Sequence, residues 1–149
     1  MFTEREPLTR QQATQISPVT LAFVGDAVYS VYVRERLTLS GIGKVGQLQD
    51  VAARVVSAKG QSEFLDKLQP LFTEEEEAIF RRGRNAKKGT KAKSASQREY
   101  NRSTGFEAVL GFLYLVGDHD RIKELLAQSA PETFEKHEQV KALRPCGRG

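Results

Sequence analysis

Two long segments of the chain are apolar on most of their faces, and each predicts a buried helix. The first begins at Ser17-Pro18, where a capping hydroxyl precedes a proline suited to the first helical turn, and it continues to about residue 38. The second covers about residues 100–116. In both segments apolar residues recur at helical spacing and also occupy the other faces, which is typical of a helix enclosed by its own domain.

Shorter amphipathic segments predict the remaining helices. Helical periodicity covers about residues 47–69, in two pieces that break near Ser57. Thr73 and Glu76 form a capping box at the start of the next helix, and a last helix is predicted over about residues 119–130. Four consecutive acids follow Thr73, and we interpret them as first-turn residues because successive helical positions point in different directions.

The same pattern predicts the fold class and the compartment. No segment shows the alternation of a strand, so we expect one all-α domain over residues 1–149, with about six or seven helices, a core over about 17–128 and a C-terminal extension and tail over 129–149. No apolar run is long enough for a membrane span, and the polar N-terminus lacks a signal-peptide core. The single cysteine excludes a disulfide framework, and these features together predict a cytoplasmic protein.

Positive charge is concentrated in one segment of the chain. Residues 81–102 contain nine basic residues and one acidic residue, whereas the formal net charge of the whole chain is only +4. Such a segment is expected where a protein contacts phosphates, although a solvated basic loop has the same composition. The candidate RNA-binding residues are Arg81, Arg82, Arg84, Asn85, Lys87, Lys88, Lys91, Lys93 and Arg102.

Each of the two apolar helices carries one acid, Asp26 in the first and Glu107 in the second. An ionised carboxylate in a dry core needs a cation, a proton or an arginine partner. Small residues beside both acids, among them Gly25 and Gly111, would let the two helices approach closely, and the acids would then meet. A hard divalent cation such as Mg²⁺ would remove their repulsion and support hydrolysis of a phosphodiester.

Two other interpretations of these acids stay open on spacing alone. Asp26 could pair with an arginine such as Arg54 or Arg102. Glu107 follows Thr104 by three residues in a second potential capping box, so a helix start would account for it without any metal.

Two stretches carry a resemblance to a known family. Phe23-Val24-Gly25-Asp26-Ala27-Val28 resembles the signature helix of the ribonuclease III catalytic domain, and Phe106-Glu107-Ala108-Val109-Leu110-Gly111 resembles its second acidic motif. The run Val56-Ser57-Ala58-Lys59 and residues 72–88 are similar to the short bacterial branch, mini-ribonuclease III. We therefore expect no double-stranded-RNA-binding domain to follow.

The resemblance implies a homodimeric, all-helical endoribonuclease that uses Mg²⁺, with Mn²⁺ as a substitute, to cut double-stranded RNA. The usual substrate of the branch is precursor 23S ribosomal RNA, and a ribosomal protein is a further candidate partner. Asp26 and Glu107 match the family's catalytic, metal-binding acids, while Lys59 and Thr104 are candidates for supporting positions around them. Ala22 and Thr104 stand where full-length ribonuclease III usually has further acids, so the sequence offers two matching carboxylates.

Two further expectations concern assembly and the competing function. Apolar residues of the first helix, Phe23, Tyr29 or Tyr32, are candidates for the dimer interface, although core packing explains them equally well. The competing hypothesis is a catalytically silent RNA-binding or ribosome-assembly protein with the same fold. Cleavage of structured RNA with Mg²⁺ and then with a chelator would separate the two functions.

Overall fold

The computed structural model describes residues 2–41, 43–87 and 96–128, and in these ranges the chain forms seven α-helices and no strand. The predicted all-α class is therefore confirmed for the described residues. In chain order the helices are α1 (Arg10–Thr14), α2 (Pro18–Leu39), α3 (Val45–Val56), α4 (Ala58–Leu68), a 3₁₀ helix (Gln69–Leu71), α5 (Glu74–Asn85), α6 (Gln97–Leu115) and α7 (His119–Leu126). Among these, no helix is long and apolar enough to cross a membrane.

Helix α6 is the centre of the domain, with α2, α4 and α5 packed around it. From Arg102 to Leu113 every residue of α6 is buried except Glu107, which is partly buried. The helix begins at Gln97, earlier than expected, because Ser96 and Glu99 form its capping box. Glu107 therefore lies well inside the helix, and the interpretation of this acid as part of a capping box is wrong.

Helix α2 is not enclosed on all sides, contrary to the prediction from its composition. Its core-facing residues are Leu21, Ala22, Gly25, Tyr29, Val33 and Leu37. On the other side, Phe23 is 79% exposed, Val31 is 60% exposed and Asp26 is also exposed. The expectation that Asp26 lies in a dry core is therefore wrong, because α2 packs against its neighbours on one side only.

Two glycines bring α2 and α6 into backbone contact. A Cβ atom added at Gly25 would lie 1.7 Å from the carbonyl oxygen of Glu107, and one added at Gly111 would lie 1.9 Å from that of Leu21. No side chain fits at either position without separating the helices. The close approach predicted from the small residues is confirmed, and it sets Asp26 next to Glu107.

The first turn of α5 is held by a buried ion pair. Thr73 and Glu76 form the predicted capping box, and Glu76, only 3% exposed, accepts two hydrogen bonds of 2.8 Å from Arg121 of α7. Burial alone would raise the pKa of Glu76, but the hydrogen bonds from Arg121 and Thr73 and the charge of Arg121 lower it overall. Arg121 also donates to the carbonyl of Leu71, so one guanidinium joins α5, α7 and the 3₁₀ helix.

Candidate active site

The two acids predicted to form a site meet at the crossing of α2 and α6. Asp26 is exposed and Glu107 is partly buried, and the carboxyl group of Asp26 is close enough to shift the pKa of Glu107. Burial raises the pKa of Glu107 most, and the hydrogen bond and negative charge of Asp26 raise it further, to about 9. Two carboxyl groups in this position cannot both ionise without a compensating positive charge.

Gln61 is a third polar side chain at this contact, and it was not among the predicted site residues. Its Nε2 donates to Glu107 Oε2 at 3.2 Å and to the carbonyl oxygen of Val56 at 2.9 Å. A signal for it does exist in the sequence. Gln61 precedes Leu65 and Leu68 by four and seven residues, so it is a polar residue on the apolar face of α4. A polar side chain on a buried helix face predicts hydrogen-bond partners inside the domain, because a buried polar group needs them.

Arg102 makes contacts within the domain that the sequence did not predict. Its Nη1 donates to the carbonyl oxygen and the hydroxyl of Ser62 at 3.2 and 2.6 Å, and its Nη2 donates to Asp66 Oδ1 at 2.6 Å. The guanidinium is buried and fastens α6 to α4. Pairing of Arg102 with Asp26 is therefore excluded in this structure, whereas RNA binding by Arg102 stays a prediction, since this side chain also lines a polar cleft between α4, α5 and α6.

The two residues expected to support the acids make other contacts in this structure, and their supporting role stays a prediction. Lys59 is exposed on α4, and its charge acts on Glu99 in the first turn of α6. Thr104 is buried, and its hydroxyl donates to the carbonyl oxygen of Tyr100 at 3.0 Å.

The described part of the basic segment begins in the last two turns of α5. Arg81 is exposed and lies 3.4 Å from Glu77, and Lys87 is also exposed. Arg82 donates to the carbonyl oxygens of Thr14 and Ile16 at 3.1 and 3.5 Å, so it joins α5 to the α1–α2 connection.

A polar cleft continues this surface between α4, α5 and α6. Arg84 lies over the ring of Phe80 and donates to Asn85 Oδ1 at 3.2 Å. The cleft has a volume of about 630 Å³ and is lined by Asp66, Gln69, Phe80, Arg84, Asn85, Arg98, Asn101 and Arg102. Lys88, Lys91 and Lys93 of the predicted RNA-binding set lie outside the described residues.

The donor set at the helix crossing fits a hard divalent cation. Within the described ranges no group of three or more acidic, histidine or cysteine side chains could hold a metal ion. Mg²⁺, however, is usually bound through one or two carboxylates and keeps several waters. Asp26 and Glu107 supply such a pair, and a cation would remove the repulsion that raises the pKa of Glu107.

Comparison with known proteins defines the class to which this fold and this acidic pair belong. The Ribonuclease III domain family matches residues 19–118, a range that contains both acids and the helix crossing. The chain therefore belongs to the ribonuclease III family and is an endoribonuclease.

Its relatives define the branch within that family. The chain is 46% identical over 121 residues to Mini-ribonuclease 3 of Symbiobacterium thermophilum, covering 81% of this chain and 92% of the relative. It is 45% identical over 126 residues to Mini-ribonuclease 3 of Brevibacillus brevis, covering 85% and 93%. A crystal structure of a Fusobacterium nucleatum protein superposes with a TM-score of 0.69 at 29% identity, covering 75% of this chain and 89% of the other. The resemblance to the mini-ribonuclease III branch is confirmed.

Proposed function

We propose that this endoribonuclease cleaves double-stranded RNA with Mg²⁺, and that Mn²⁺ can replace Mg²⁺. The observation that carries the proposal is the contact of Asp26 with Glu107 across the backbone-to-backbone crossing of α2 and α6. A cation bound there would lower the pKa of a water molecule and stabilise charge on the phosphate oxygens. Asp26 and Glu107 would hold it as carboxylates, and the N–H of Gln61 would fix the orientation of Glu107.

Isosteric substitutions of the two acids test the cleavage proposal. Asp26→Asn and Glu107→Gln should abolish cleavage of a labelled RNA duplex in Mg²⁺, because each removes a negative oxygen that the cation requires. Binding of the duplex in chelator, measured by fluorescence anisotropy, should be retained. Asp50→Asn is the matched control, since Asp50 is an exposed acid on α3.

The outcomes separate the two candidate functions. Mg²⁺-dependent cleavage by both acid variants would refute the metal site at Asp26 and Glu107. A wild-type protein that binds duplex RNA but does not cleave it in either Mg²⁺ or Mn²⁺ would instead support the catalytically silent RNA-binding alternative.

We propose that the basic segment at the end of α5 supplies much of the RNA affinity. A-form RNA hides its base edges in a deep, narrow groove, so recognition depends mainly on shape and phosphates. Changing Lys87, Lys88, Lys91 and Lys93 to glutamine should weaken duplex binding and reduce its dependence on salt, because fewer counterions are released. The control changes two exposed lysines elsewhere, Lys44 at the N-cap of α3 and Lys123 on α7. Unchanged affinity and salt slope in the fourfold variant would refute this proposal.

We propose that the exposed apolar side of α2 is the interface of a homodimer. Phe23, Val31 and Val19 are exposed there on the same helix as Asp26, so the interface would lie close to the acidic pair. Of the residues expected at the interface, Tyr29 is instead only 2% exposed and packs in the core against Phe106.

Changing the exposed apolar side chain at the centre of this face tests the dimer. Phe23→Glu should produce a monomer in light scattering and analytical ultracentrifugation, because it introduces a charge into a buried apolar interface. Val45→Glu is the control, since Val45 is 65% exposed but lies on α3. A Phe23→Glu protein with the wild-type mass would refute this interface.

We further propose that the substrate is precursor 23S ribosomal RNA, cut at its ends in the cytoplasm, and that a ribosomal protein assists. The support for this proposal is the similarity to Mini-ribonuclease 3 proteins, together with the substrate that the family resemblance implies. Incubation with a precursor transcript should release defined end fragments, whereas an unrelated duplex of equal length should be cut more slowly. Equal rates on the two RNAs would refute the substrate preference.

A further inference from the structure

Gln61 presents an unused hydrogen-bond acceptor beside the two acids. The residue lies in the first turn of α4 and is 2% exposed. Its Nε2 has partners in Val56 and Glu107. Its Oε1 is buried and, among the described residues, has no hydrogen-bond partner; it is the one such side-chain atom found there.

The contact with Val56 fixes which way the amide of Gln61 points. A backbone carbonyl can only accept, so the donating Nε2 must face it, and the reversed amide would set two acceptors against each other. The oxygen and nitrogen of an amide are about 2.2 Å apart by covalent geometry, so Oε1 lies within about 5.5 Å of Glu107 Oε2. A buried acceptor left without a donor costs about 1–3 kcal/mol, so a donor is expected at this position.

We propose that Gln61 is a positioning residue of the cation site, whose Oε1 accepts a hydrogen bond from a water ligand of the cation that Asp26 and Glu107 hold. This inference rests on the proposed function. Mg²⁺ and Mn²⁺ keep water ligands when only two carboxylates bind them, and these waters carry hydrogens that need acceptors. One amide then serves the site twice, since Nε2 orients Glu107 and Oε1 orients a water. The neutral amide adds this acceptor without adding a third negative charge.

Two substitutions of Gln61 separate this role from ordinary packing. Gln61→Met keeps the length and the apolar stem but removes both the donor and the acceptor. Gln61→Glu keeps an oxygen at the tip but removes the donors to Val56 and Glu107. Glu63→Met is the matched control, because Glu63 is an exposed residue on the same helix.

The measurement is Mn²⁺ affinity without RNA, by calorimetry and by the electron paramagnetic resonance of the bound ion. The free energy of unfolding is measured in parallel in chelator. Gln61→Met should bind Mn²⁺ at least about tenfold more weakly, which is the lower end of the effect of residues that support metal ligands. Gln61→Glu should be less stable in chelator but should bind Mn²⁺ at least as tightly as the wild type, and a purely structural role would not give that combination. Glu63→Met should change neither quantity.

Two results would overturn the inference while leaving the proposed function intact. One is wild-type Mn²⁺ affinity in Gln61→Met, with or without a loss of stability in chelator. The other is a loss of Mn²⁺ affinity in Gln61→Glu as large as that in Gln61→Met. If Gln61→Met does not fold, a loss of Mn²⁺ affinity of about tenfold or more in Gln61→Glu overturns the inference by itself. A wild-type protein that neither binds Mn²⁺ nor cleaves duplex RNA would overturn the proposed function itself, and the inference with it.

Discussion

Changing Gly25 to alanine tests the central claim that backbone contact between α2 and α6 holds the two acids together. The added Cβ would lie 1.7 Å from the carbonyl oxygen of Glu107 and 2.9 Å from the backbone nitrogen of Gly111. Neither neighbour is a flexible side chain that could turn aside. An ordinary contact is at least 3.4 Å, so α2 must move away from α6 by about 1.7 Å.

The cost follows from what such a separation does to the core. A gap of only 0.5–1 Å already forfeits about a quarter to a half of the dispersion energy of a contact, and Leu21, Tyr29 and Phe106 are all buried near this crossing. Overpacking typically costs about 1–3 kcal/mol, and the backbone clash places Gly25→Ala at or above that upper value. The intrinsic preference of a helix for alanine over glycine returns only about 0.5–1 kcal/mol. We therefore expect a net loss of about 2 kcal/mol or more.

Urea unfolding and RNA cleavage provide the readouts. The control is Gly46→Ala, because Gly46 lies in the first turn of α3 and a Cβ there has nothing within 4 Å, so this change should be neutral or stabilising. Gly25→Ala should also lose duplex cleavage at temperatures where it is still folded, since its carboxyl groups have moved apart. Equal unfolding free energies for the two alanine variants would refute the tight crossing. Full cleavage by a destabilised Gly25→Ala protein would show that cleavage does not depend on the close contact of α2 with α6.

Three further predictions concern buried charges. In chelator, the wild type should lose up to about 1.4 kcal/mol of unfolding free energy per pH unit as pH rises from 4.5, the ordinary carboxyl pKa, towards about 9, because folded Glu107 keeps a proton that the unfolded chain releases. Glu107→Gln should remove this slope. An identical slope in the variant would contradict the assignment of the raised pKa to Glu107. Glu76→Gln should lower stability by about 2–3 kcal/mol at neutral pH in urea unfolding, because it removes the buried ionic partner of Arg121 and leaves the exposed Glu124. The lowered pKa of Glu76 means that the difference should shrink as pH falls below 4.5, and a difference that persists there would argue against the ion pair. Arg102→Met should destabilise the fold by about 1–3 kcal/mol, because it removes hydrogen bonds to Ser62. The salt dependence of RNA binding should not change in this variant. A smaller salt dependence would show that Arg102 contacts phosphate.

The sequence predicted the helix crossing because the relevant signals are local. Gly25 stands directly beside Asp26, and Gly111 lies one helical turn after Glu107. In each pair, the glycine allows another backbone to approach closely, and the carboxylate needs a partner if it is buried. Two long apolar helices in one small domain have few ways to pack other than against each other, so the meeting of the acids followed.

The exposure of α2 could not be predicted in the same way. When apolar residues occupy every face of a helix, the pattern does not identify the face that packs against the core. It therefore does not say whether the side with Phe23 and Val31 is covered by the same chain or by another. For the same reason Asp26 was expected to be buried, whereas in this chain it is exposed. The proposed dimer would reconcile the apolar composition with the exposure, because a second copy would cover the face that the fold leaves open.

The roles of Gln61 and Arg102 depend on contacts between residues far apart in the chain. Gln61 and Glu107 are 46 positions apart, and Arg102 bonds to residues 40 and 36 positions away. A neutral amide gives no charge signal, and an arginine in a basic segment looks the same in sequence whether it faces solvent or the core. Only the packing of α4 against α6 shows which partners Gln61 and Arg102 have.

The proposed cation site would link folding to metal binding at this crossing. The apolar core and the two glycines force α2 against α6, and this contact brings together two carboxyl groups that repel each other when ionised. Without a cation, part of the stability gained by packing is therefore spent on keeping Glu107 protonated. A cation that binds only the folded state would stabilise it by an amount that grows with the ratio of free ion to Kd, and this Kd already includes the cost of removing the proton from Glu107. A divalent ion held by Asp26 and Glu107, as proposed, would relieve their repulsion, and the packed helices would hold the two carboxylates in place for it.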